Sequence, residues 1–354
     1  MKALIGRPVF AIGETEYCWE DVILAGAVRG EWSAIVRRAR AGLALLAAAE
    51  EEEGEPLEVP GEEEIDEAAN EFRYAQNLIA ADEMEAWLEA WGLDVGGWME
   101  WVVMDLLRNR NDGEEAWAAR LAGPPVDDET LAAAIHAEAV CSGALGKLSY
   151  RLAEWAAVHT REREAGREEE PPAEAPPLPA GTELPPLDLS GEELSRRLGV
   201  LNAYRRAYDR FTVEVVTPEA VAGRVRTRQT EWTRVDARIL RLPSEDAARE
   251  ALTSIRDDGC EIDEVAADAG TGLAEGTFFL EEFDAAIRDR LLASVAGDLL
   301  GPLRDGESWA IFSVVDKKLP SASDPEIADR AEKSLLRSAL TREVDNRVSW
   351  RWRA

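Results

Sequence analysis

The chain has 354 residues, of which 46% are hydrophobic and 31% are charged, a composition typical of a globular protein with two or three domains. The formal net charge is −31 and the sequence pI is about 4.5, which disfavours nucleic acids and anionic membranes as partners because both are bound by basic surfaces. No apolar run approaches the ~20 residues of a membrane helix, and charged residues follow Met1 too early for a secretory signal, so we expect a cytoplasmic protein without membrane insertion.

Residues 1–165 predict a mainly helical domain. A short hairpin with its turn at Gly13 precedes a helix that begins near Glu20. Over residues 64–110, apolar residues recur every three or four positions, as they do in helices that bury one face. Further helices are expected as far as about residue 164.

The composition changes at residues 166–189, which are rich in Pro and Glu. Such a segment has too few apolar residues to bury a core of its own and predicts an extended, mobile linker. Helices are predicted over 190–232, and Ser190 with Glu193 forms a capping box for the first of them.

Residues 233–319 predict a small α+β domain with an antiparallel sheet. Apolar and polar residues alternate from Arg234 onward, as in a half-buried strand, and a strong final strand covers residues 308–318. The last segment, residues 320–354, begins with a helix whose apolar stripe requires a partner surface.

Five stretches of the chain carry a resemblance to one family. Three stretches resemble the SurA/PrsA-like foldase chaperones: FAIGETEYCWEDV near the N-terminus resembles their opening hairpin, residues 62–110 resemble their core helices, and residues 217–240, which end in ARIL, resemble the lead into their parvulin domain. Within 62–110, the matching positions are Trp87, Leu88, Gly92 and Leu93. GDLLGPL at 297–303 and AIFSVVDK at 310–317 resemble the late turn and last strand of a parvulin (PpiC-type peptidyl-prolyl isomerase) domain. The resemblance implies an α+β protein: a SurA-like helical chaperone domain and a parvulin-like domain, with residues 320–354 packed on the N-terminal domain. The Trp-rich N-terminal region is more similar to the subgroup associated with peptide maturation.

The resemblance also implies that the isomerase site is degenerate. The two facing histidines of active parvulins fall on Arg238 and Ala310, the Cys or Asp position falls within 270–272, and no histidine follows His159. Prolyl isomerisation crosses a barrier of ~20 kcal/mol, which such polar groups help to lower. We therefore expect no catalytic residues and little or no activity; an active isomerase with atypical residues is the enzymatic alternative.

A retained apolar pocket would bind an extended polypeptide, because aromatic side chains give a large contact area at low entropic cost. The candidates in the parvulin-like domain are Arg238, Phe279, Phe283, Ile287 and Trp309. The candidates in the helical domain are Trp87, Trp91, Trp98 and Trp101. Aromatic residues at helical spacing also commonly form a core.

We expect no cofactor and no metal. Cys18, Cys141 and Cys260 lie far apart, both histidines are isolated, and no Gly-rich phosphate-binding motif is present. The leading hypothesis is a non-catalytic or weakly active isomerase-like chaperone that binds an unfolded or extended polypeptide, such as a ribosomal precursor peptide. The alternative is a scaffold subunit that docks the enzyme modifying that peptide.

Overall fold

The computed structural model describes residues 4–50, 59–111, 127–167, 178, 182, 184–185, 187 and 189–351. The chain divides into two compact units: unit 1 comprises Met1–Phe211 with Leu340–Ala354, and unit 2 comprises Thr212–Ala339. The fold is mixed α+β, with helices and two small antiparallel sheets. Within the described ranges, no helix combines the length and the apolar content needed to cross a membrane.

The described helices, numbered in chain order, have the following bounds. They are α1 (Trp19–Val28), α2 (Glu31–Glu50), α3 (Glu62–Ala75), α4 (Ala81–Trp91), α5 (Val95–Arg110), α6 (Asp128–Cys141), α7 (Ala144–Glu164), α8 (Gly191–Val215), α9 (Pro218–Thr227), α10 (Glu245–Arg256), α11 (Ile262–Asp268), α12 (Ala285–Ala293) and α13 (Pro325–Arg347). The strands are β1 (Pro8–Ile12), β2 (Thr15–Cys18), β3 (Arg234–Leu242), β4 (Leu273–Phe279), β5 (Leu299–Asp305), β6 (Ser308–Lys318) and β7 (Val348–Trp350).

The sheet of unit 1 has three antiparallel strands in the order β2-β1-β7. The predicted N-terminal hairpin is confirmed: Gly13 occupies its turn with φ +59°, a backbone conformation that glycine adopts without a steric penalty. Phe10 on the central strand is fully buried and stacks on Tyr17 of β2. Helices α1, α2, α5, α6 and α7 pack into one apolar core around Trp19 and Trp32.

A buried carboxylate links three of these helices. Glu138 on α6 accepts hydrogen bonds from Arg38 Nε of α2 at 2.7 Å and from Arg108 Nη2 of α5 at 2.9 Å. The carboxylate oxygen that accepts from Arg108 also accepts a hydrogen bond from the indole Nε1 of Trp101, at 2.9 Å. Since buried charges are tolerated only when paired, this arrangement determines how α2, α5 and α6 pack against one another.

Unit 2 is built on a four-stranded antiparallel sheet in the order β4-β3-β6-β5. Val235, Ala237 and Ile239 of β3 face one side and share a cluster with α12, whereas Leu240 and Leu242 face the other side and pack with α10 and α11. The predicted alternation in β3 is therefore confirmed. Helices thus cover both faces of the sheet.

The unit boundaries differ from the predicted domains, because α8 and α13 each contribute to both units. Residues 190–211 of the predicted 190–232 segment belong to unit 1 rather than to a separate lead-in. The predicted 320–354 segment also divides. Ile327 and Ala331 of α13 pack with Trp232 in unit 2, whereas Val344 is buried in the core of unit 1.

The predicted linker, 166–189, lies largely outside the described residues. Four leucines of this segment are described, and all four are partly buried against the core of unit 1: Leu178, Leu184, Leu187 and Leu189. The sequence predicts that the segment buries no core of its own, and these leucines instead pack against the core of unit 1. Prolines flank Leu178 on both sides and adjoin Leu184 and Leu187, which interrupts the helical or strand periodicity that would have marked the leucines as buried.

Candidate functional site

Arg238 and Ala310, the two positions predicted to correspond to the isomerase histidines, lie on opposite faces of the unit 2 sheet. Arg238 pairs with Ser313 of β6, whereas Ala310 pairs with Arg241, three residues further along β3. Side chains alternate between faces along a strand, so an odd separation places the two on different sides. Arg238 and Ala310 therefore do not face each other in this sheet, and their correspondence to the isomerase histidines stays a prediction.

The contacts of Arg238 and Ala310 agree with their placement on opposite faces of the sheet. Arg238 lies on the side of α11, where its guanidinium donates to Asp263 and lies 3.8 Å from Glu275. The hydrogen bond to Asp263 raises the pKa of Arg238, so it remains a cation at neutral pH and is neither an acid nor a base. Ala310 is fully buried in the opposite cluster, against Phe312 and the residues of α12.

The apolar candidates of unit 2 do not line one pocket. Phe283 and Ile287 are buried together beneath the sheet, where Phe283 makes an edge contact with Phe312 at 5.5 Å between ring centroids. Phe279 is buried in a different cluster, and the half-buried Trp309 packs in a third on the α10 side. The four candidates therefore lie in three separate clusters, where most of their surface is already used within the fold, and their role in binding a polypeptide stays a prediction.

The four tryptophans predicted to line a groove in the helical domain form part of the core of unit 1. Phe72 lies at their centre, with its ring centroid 5.5 Å from Trp87, 5.8 Å from Trp98 and 5.6 Å from Trp101. Trp91, Trp98 and Trp101 are buried, and Trp87 is half-buried. Their packing matches the alternative that aromatic residues at helical spacing form a core, and a role in binding a polypeptide stays a prediction.

An open groove of about 620 Å³ lies on unit 2, along α9 and the part of α13 that belongs to this unit. Five basic and three acidic side chains line it, in a protein whose net charge is −31. The lining residues are Arg224, Arg228, Trp232, Glu281, Glu326, Asp329, Arg330, Lys333, Ser334, Arg337 and Ser338. We call this feature the α9–α13 groove.

Every acidic side chain of the α9–α13 groove is neutralised by an ion pair. These pairs are Glu281 with Arg330, Asp329 with Lys333 at 2.7 Å, and Glu326 with Arg234 at 2.9 Å. Arg228 pairs with Glu231 at 3.3 Å, just outside the groove. The carboxylates present are thus already matched by cations.

Two arginines of the groove have no carboxylate partner among the residues that the structure describes. Arg224 is half-buried, and its Nη1 donates to the hydroxyl of Ser334 at 2.8 Å and to that of Ser338 at 3.4 Å. Arg337 is exposed and has no ion pair among the residues that the structure describes. This end of the groove therefore combines uncompensated positive charge with hydroxyl groups.

Near the other end, Arg330 is fixed against aromatic rings. Its guanidinium carbon lies 4.1 Å from the centroid of the Phe279 ring and 6.0 Å from that of Trp232, while the same group pairs with Glu281. A guanidinium group that is already held against an aromatic ring loses little side-chain conformational entropy when it binds a ligand. The groove therefore has one rigid aromatic end and one cationic end.

A smaller concavity of about 250 Å³ lies on unit 1, beside the phenol pair Tyr17 and Tyr204, whose hydroxyl oxygens are 2.8 Å apart. Burial raises the pKa of both phenols, and it also raises the pKa of the Cys18 thiol. Asp21 is paired with Arg197 at 2.8 Å. Because the two phenols bond to each other, Asp21 is paired and the thiol is not activated, these four residues do not form a catalytic set.

No set of three His, Cys, Asp or Glu side chains is arranged to hold a metal ion in the described part of the chain. The buried His136 is not available as a base near neutral pH, because burial lowers its pKa to about 4.

Comparison with known proteins adds little. No model of a known protein family matches the chain, and no curated protein does. Among solved structures, the chain is similar to the crystal structure of PrsA from Bacillus subtilis, with a TM-score of 0.22 and 13% sequence identity. The similar region covers 44% of this chain and 64% of that one, so the chain spans less than two thirds of that protein.

The sequence predictions missed the residues that line the α9–α13 groove. One signal was present: Ser334 and Ser338 are four residues apart on a helix and therefore share a face, with Arg337 beside them. The partner Arg224 lies 110 residues earlier in the chain, and no local pattern connects it to them.

Proposed function

We propose that this protein is a chaperone that binds unfolded or extended polypeptides and has little or no prolyl isomerase activity. The observation that carries the proposal is the α9–α13 groove. Its volume falls within the roughly 300–1,000 Å³ typical of sites that bind organic ligands, and it is open to solvent along two helices. An extended chain can be bound in such a groove, because its backbone carbonyl oxygens accept hydrogen bonds from guanidinium and hydroxyl groups.

The chemistry of the sheet supports the non-catalytic part of the proposal. A residue that assists amide rotation must reach the bound peptide and supply a polar group directed at the twisted bond. Arg238 is occupied by two carboxylates, and Ala310 is apolar and fully buried on the opposite face. Neither position supplies that chemistry.

The class of client follows from the resemblance noted in the sequence. A ribosomal precursor peptide is an extended polypeptide of the kind that the groove accommodates, and the enzyme that modifies it would be a further partner. We propose the peptide as the direct ligand. In the scaffold alternative, the protein would hold the modifying enzyme and not the peptide.

Filling the α9–α13 groove tests the binding function. Ser334→Trp places a large side chain in the groove, whereas Glu332→Trp adds the same side chain at an exposed position of α13 that does not line it. Fluorescence anisotropy with a labelled, permanently unfolded test protein should show binding by the wild type and by the Glu332 variant. We expect the Ser334 variant to bind about tenfold more weakly or worse.

Equal binding by the two tryptophan variants would contradict the groove as the site. If the wild type binds no unfolded polypeptide but co-purifies with a stoichiometric protein, the scaffold role replaces the chaperone role.

A direct cis–trans assay on a proline-containing tetrapeptide should show only the uncatalysed rate. Acceleration comparable to that of an active parvulin would refute the non-catalytic assignment.

A further inference from the structure

We infer that the α9–α13 groove selects polypeptide segments that carry acidic side chains, and that Arg224 and Arg337 bind their carboxylates. The inference rests on the proposed polypeptide-binding function and assigns the class of ligand. It runs against the overall charge, since a protein with a net charge of −31 attracts basic partners at long range.

The pairing of charges inside the groove is the first argument. Its three carboxylates are neutralised by Arg330, Lys333 and Arg234, so none of them is left to attract a basic ligand. Arg224 and Arg337, in contrast, have no carboxylate among the described residues. The charge that the groove leaves uncompensated is therefore positive.

The geometry at Arg224 is the second argument. Nη1 donates to both serine hydroxyls, which orients the planar guanidinium across α13 while its remaining N–H groups stay available. Both Nη1 hydrogens are used on the serines, so the remaining edge of the guanidinium, formed by Nε and Nη2, binds a carboxylate through two parallel hydrogen bonds. The Ser338 hydroxyl donates to the Ser334 carbonyl, which keeps that end of the groove ordered.

The size and surroundings of the groove favour a peptide over a small ion or a nucleic acid. A volume of about 620 Å³ is larger than a lone anion fills, and the two free arginines lie on different helices. A long polyphosphate chain extending beyond the groove would meet the negative charge of the surrounding protein. A segment with a few carboxylates gains the local contacts without carrying a dense run of charge.

Two peptides and four variants of the full-length protein test the inference. The peptides have the same length, are acetylated and amidated, and carry either four Glu or four Gln residues, so only side-chain carboxylates differ. The variants are Arg224→Gln, Arg337→Gln, the double variant, and Arg226→Gln. Arg226 is the matched control, because it is exposed on the same helix as Arg224 and does not line the groove.

At about 0.1 M salt, we expect the wild type to bind the Glu peptide at least tenfold more tightly than the Gln peptide, in line with charge-assisted hydrogen bonds. The double variant should lose that preference, each single variant should lose part of it, and the Arg226 variant should keep it. Circular dichroism and the thermal midpoint identify a variant that does not fold. Arg224→Lys then serves in its place, and we expect it to keep the charge attraction but bind more weakly than Arg224.

The outcomes separate this inference from the proposed function. Equal binding of the two peptides overturns the inference and leaves polypeptide binding intact. Loss of the preference in the Arg226 variant, or its survival in the double variant, also overturns it, because the attraction would then lie outside the groove. Failure of both peptides and of the unfolded test protein to bind overturns the inference together with the proposed function.

Discussion

The carboxylate of Glu138 offers a sharp test of how unit 1 is held together. It is 1% exposed and accepts hydrogen bonds from Arg38, Arg108 and Trp101. Glu138→Gln keeps the shape of the side chain but removes its charge, and it turns an amide group toward three donors. Arg108, which is 8% exposed, is then left as a buried cation.

The expected cost follows from the partners that remain. Removing one member of a buried ion pair typically costs about 3–5 kcal/mol. Arg38 is 41% exposed and regains solvation, and Asp105 lies 3.2 Å from Arg38 and 3.0 Å from Arg108, which compensates part of the lost charge. We therefore expect Glu138→Gln to lower the free energy of unfolding by about 3 kcal/mol, at the lower end of that range.

Urea unfolding followed by tryptophan fluorescence measures this effect. Of the 12 tryptophans, Trp232 and Trp309 alone fall within unit 2, so the signal mainly reports unit 1. Glu71→Gln is the matched control, because it makes the same chemical change at an exposed position of α3 and should leave the midpoint nearly unchanged.

A loss below about 1 kcal/mol in Glu138→Gln would refute the reasoning, since it would mean that the guanidinium groups do not depend on this charge. A second comparison sharpens the test. Arg108→Met combined with Glu138→Met removes both buried charges and fills the space with apolar atoms. It should be more stable than Glu138→Gln; a less stable double variant would show that packing, not unpaired charge, dominates the site.

Three further predictions follow from the positions of single residues. Burial lowers the pKa of His136 to about 4, and the hydrogen bond between its Nε2 and the Trp91 carbonyl oxygen, at 2.9 Å, offsets only part of this effect, so the unfolded state binds the proton more tightly. Through this residue, the free energy of unfolding should fall by about 2 kcal/mol from pH 7.5 to pH 5. Urea unfolding at both pH values should show that His136→Gln removes this part of the loss. Arg238→His together with Ala310→His should yield no isomerase activity in the tetrapeptide assay, because the imidazoles would lie on opposite faces of the sheet, whereas measurable catalysis would show that the assignment of faces is wrong. Phe283→Ala should destabilise unit 2 by about 3–5 kcal/mol in thermal unfolding, as expected for a core residue, and at temperatures where the variant is folded it should bind the unfolded test protein as the wild type does.

Local features of the chain were predictable because they depend on neighbouring residues. The hairpin at Gly13 and the alternation from Arg234 to Ile239 follow from turn chemistry and from the two-residue period of a strand. The sharing of α13 between the units was not predictable in this way. Its apolar stripe shows that the helix is buried on one side, but not that Ile327 and Val344 find different partners.

The candidate site was less predictable than the fold, because it depends on pairings between distant segments. The face on which Ala310 lies is determined by the register between β3 and β6, and a shift of that register by an odd number of residues would place Ala310 on the opposite face. The tryptophans of unit 1 illustrate a second limit. Trp98 and Trp101 have the same helical spacing whether they line a groove or form a core. Their packing against Phe72, which lies on another helix, distinguishes the two cases and is not visible in the local sequence.

The charges of this protein affect an acidic client in two opposite ways: the net negative charge repels it at long range, and the two arginines attract it inside the groove. The net charge of −31 repels such a client over a range set by the Debye length, about 10 Å at 0.1 M salt. Arg224 and Arg337 act only after the client has entered the groove, where salt screens a contact with the half-buried Arg224 less than a contact with the exposed Arg337. Added salt should therefore first increase the association rate by screening the repulsion, and later weaken the bound complex. An acidic segment bound at an exposed basic patch, without surrounding negative charge, would instead bind more slowly and more weakly at every increase in salt. The sign of the initial salt effect on the association rate thus distinguishes a cationic groove within an acidic protein from non-specific attraction.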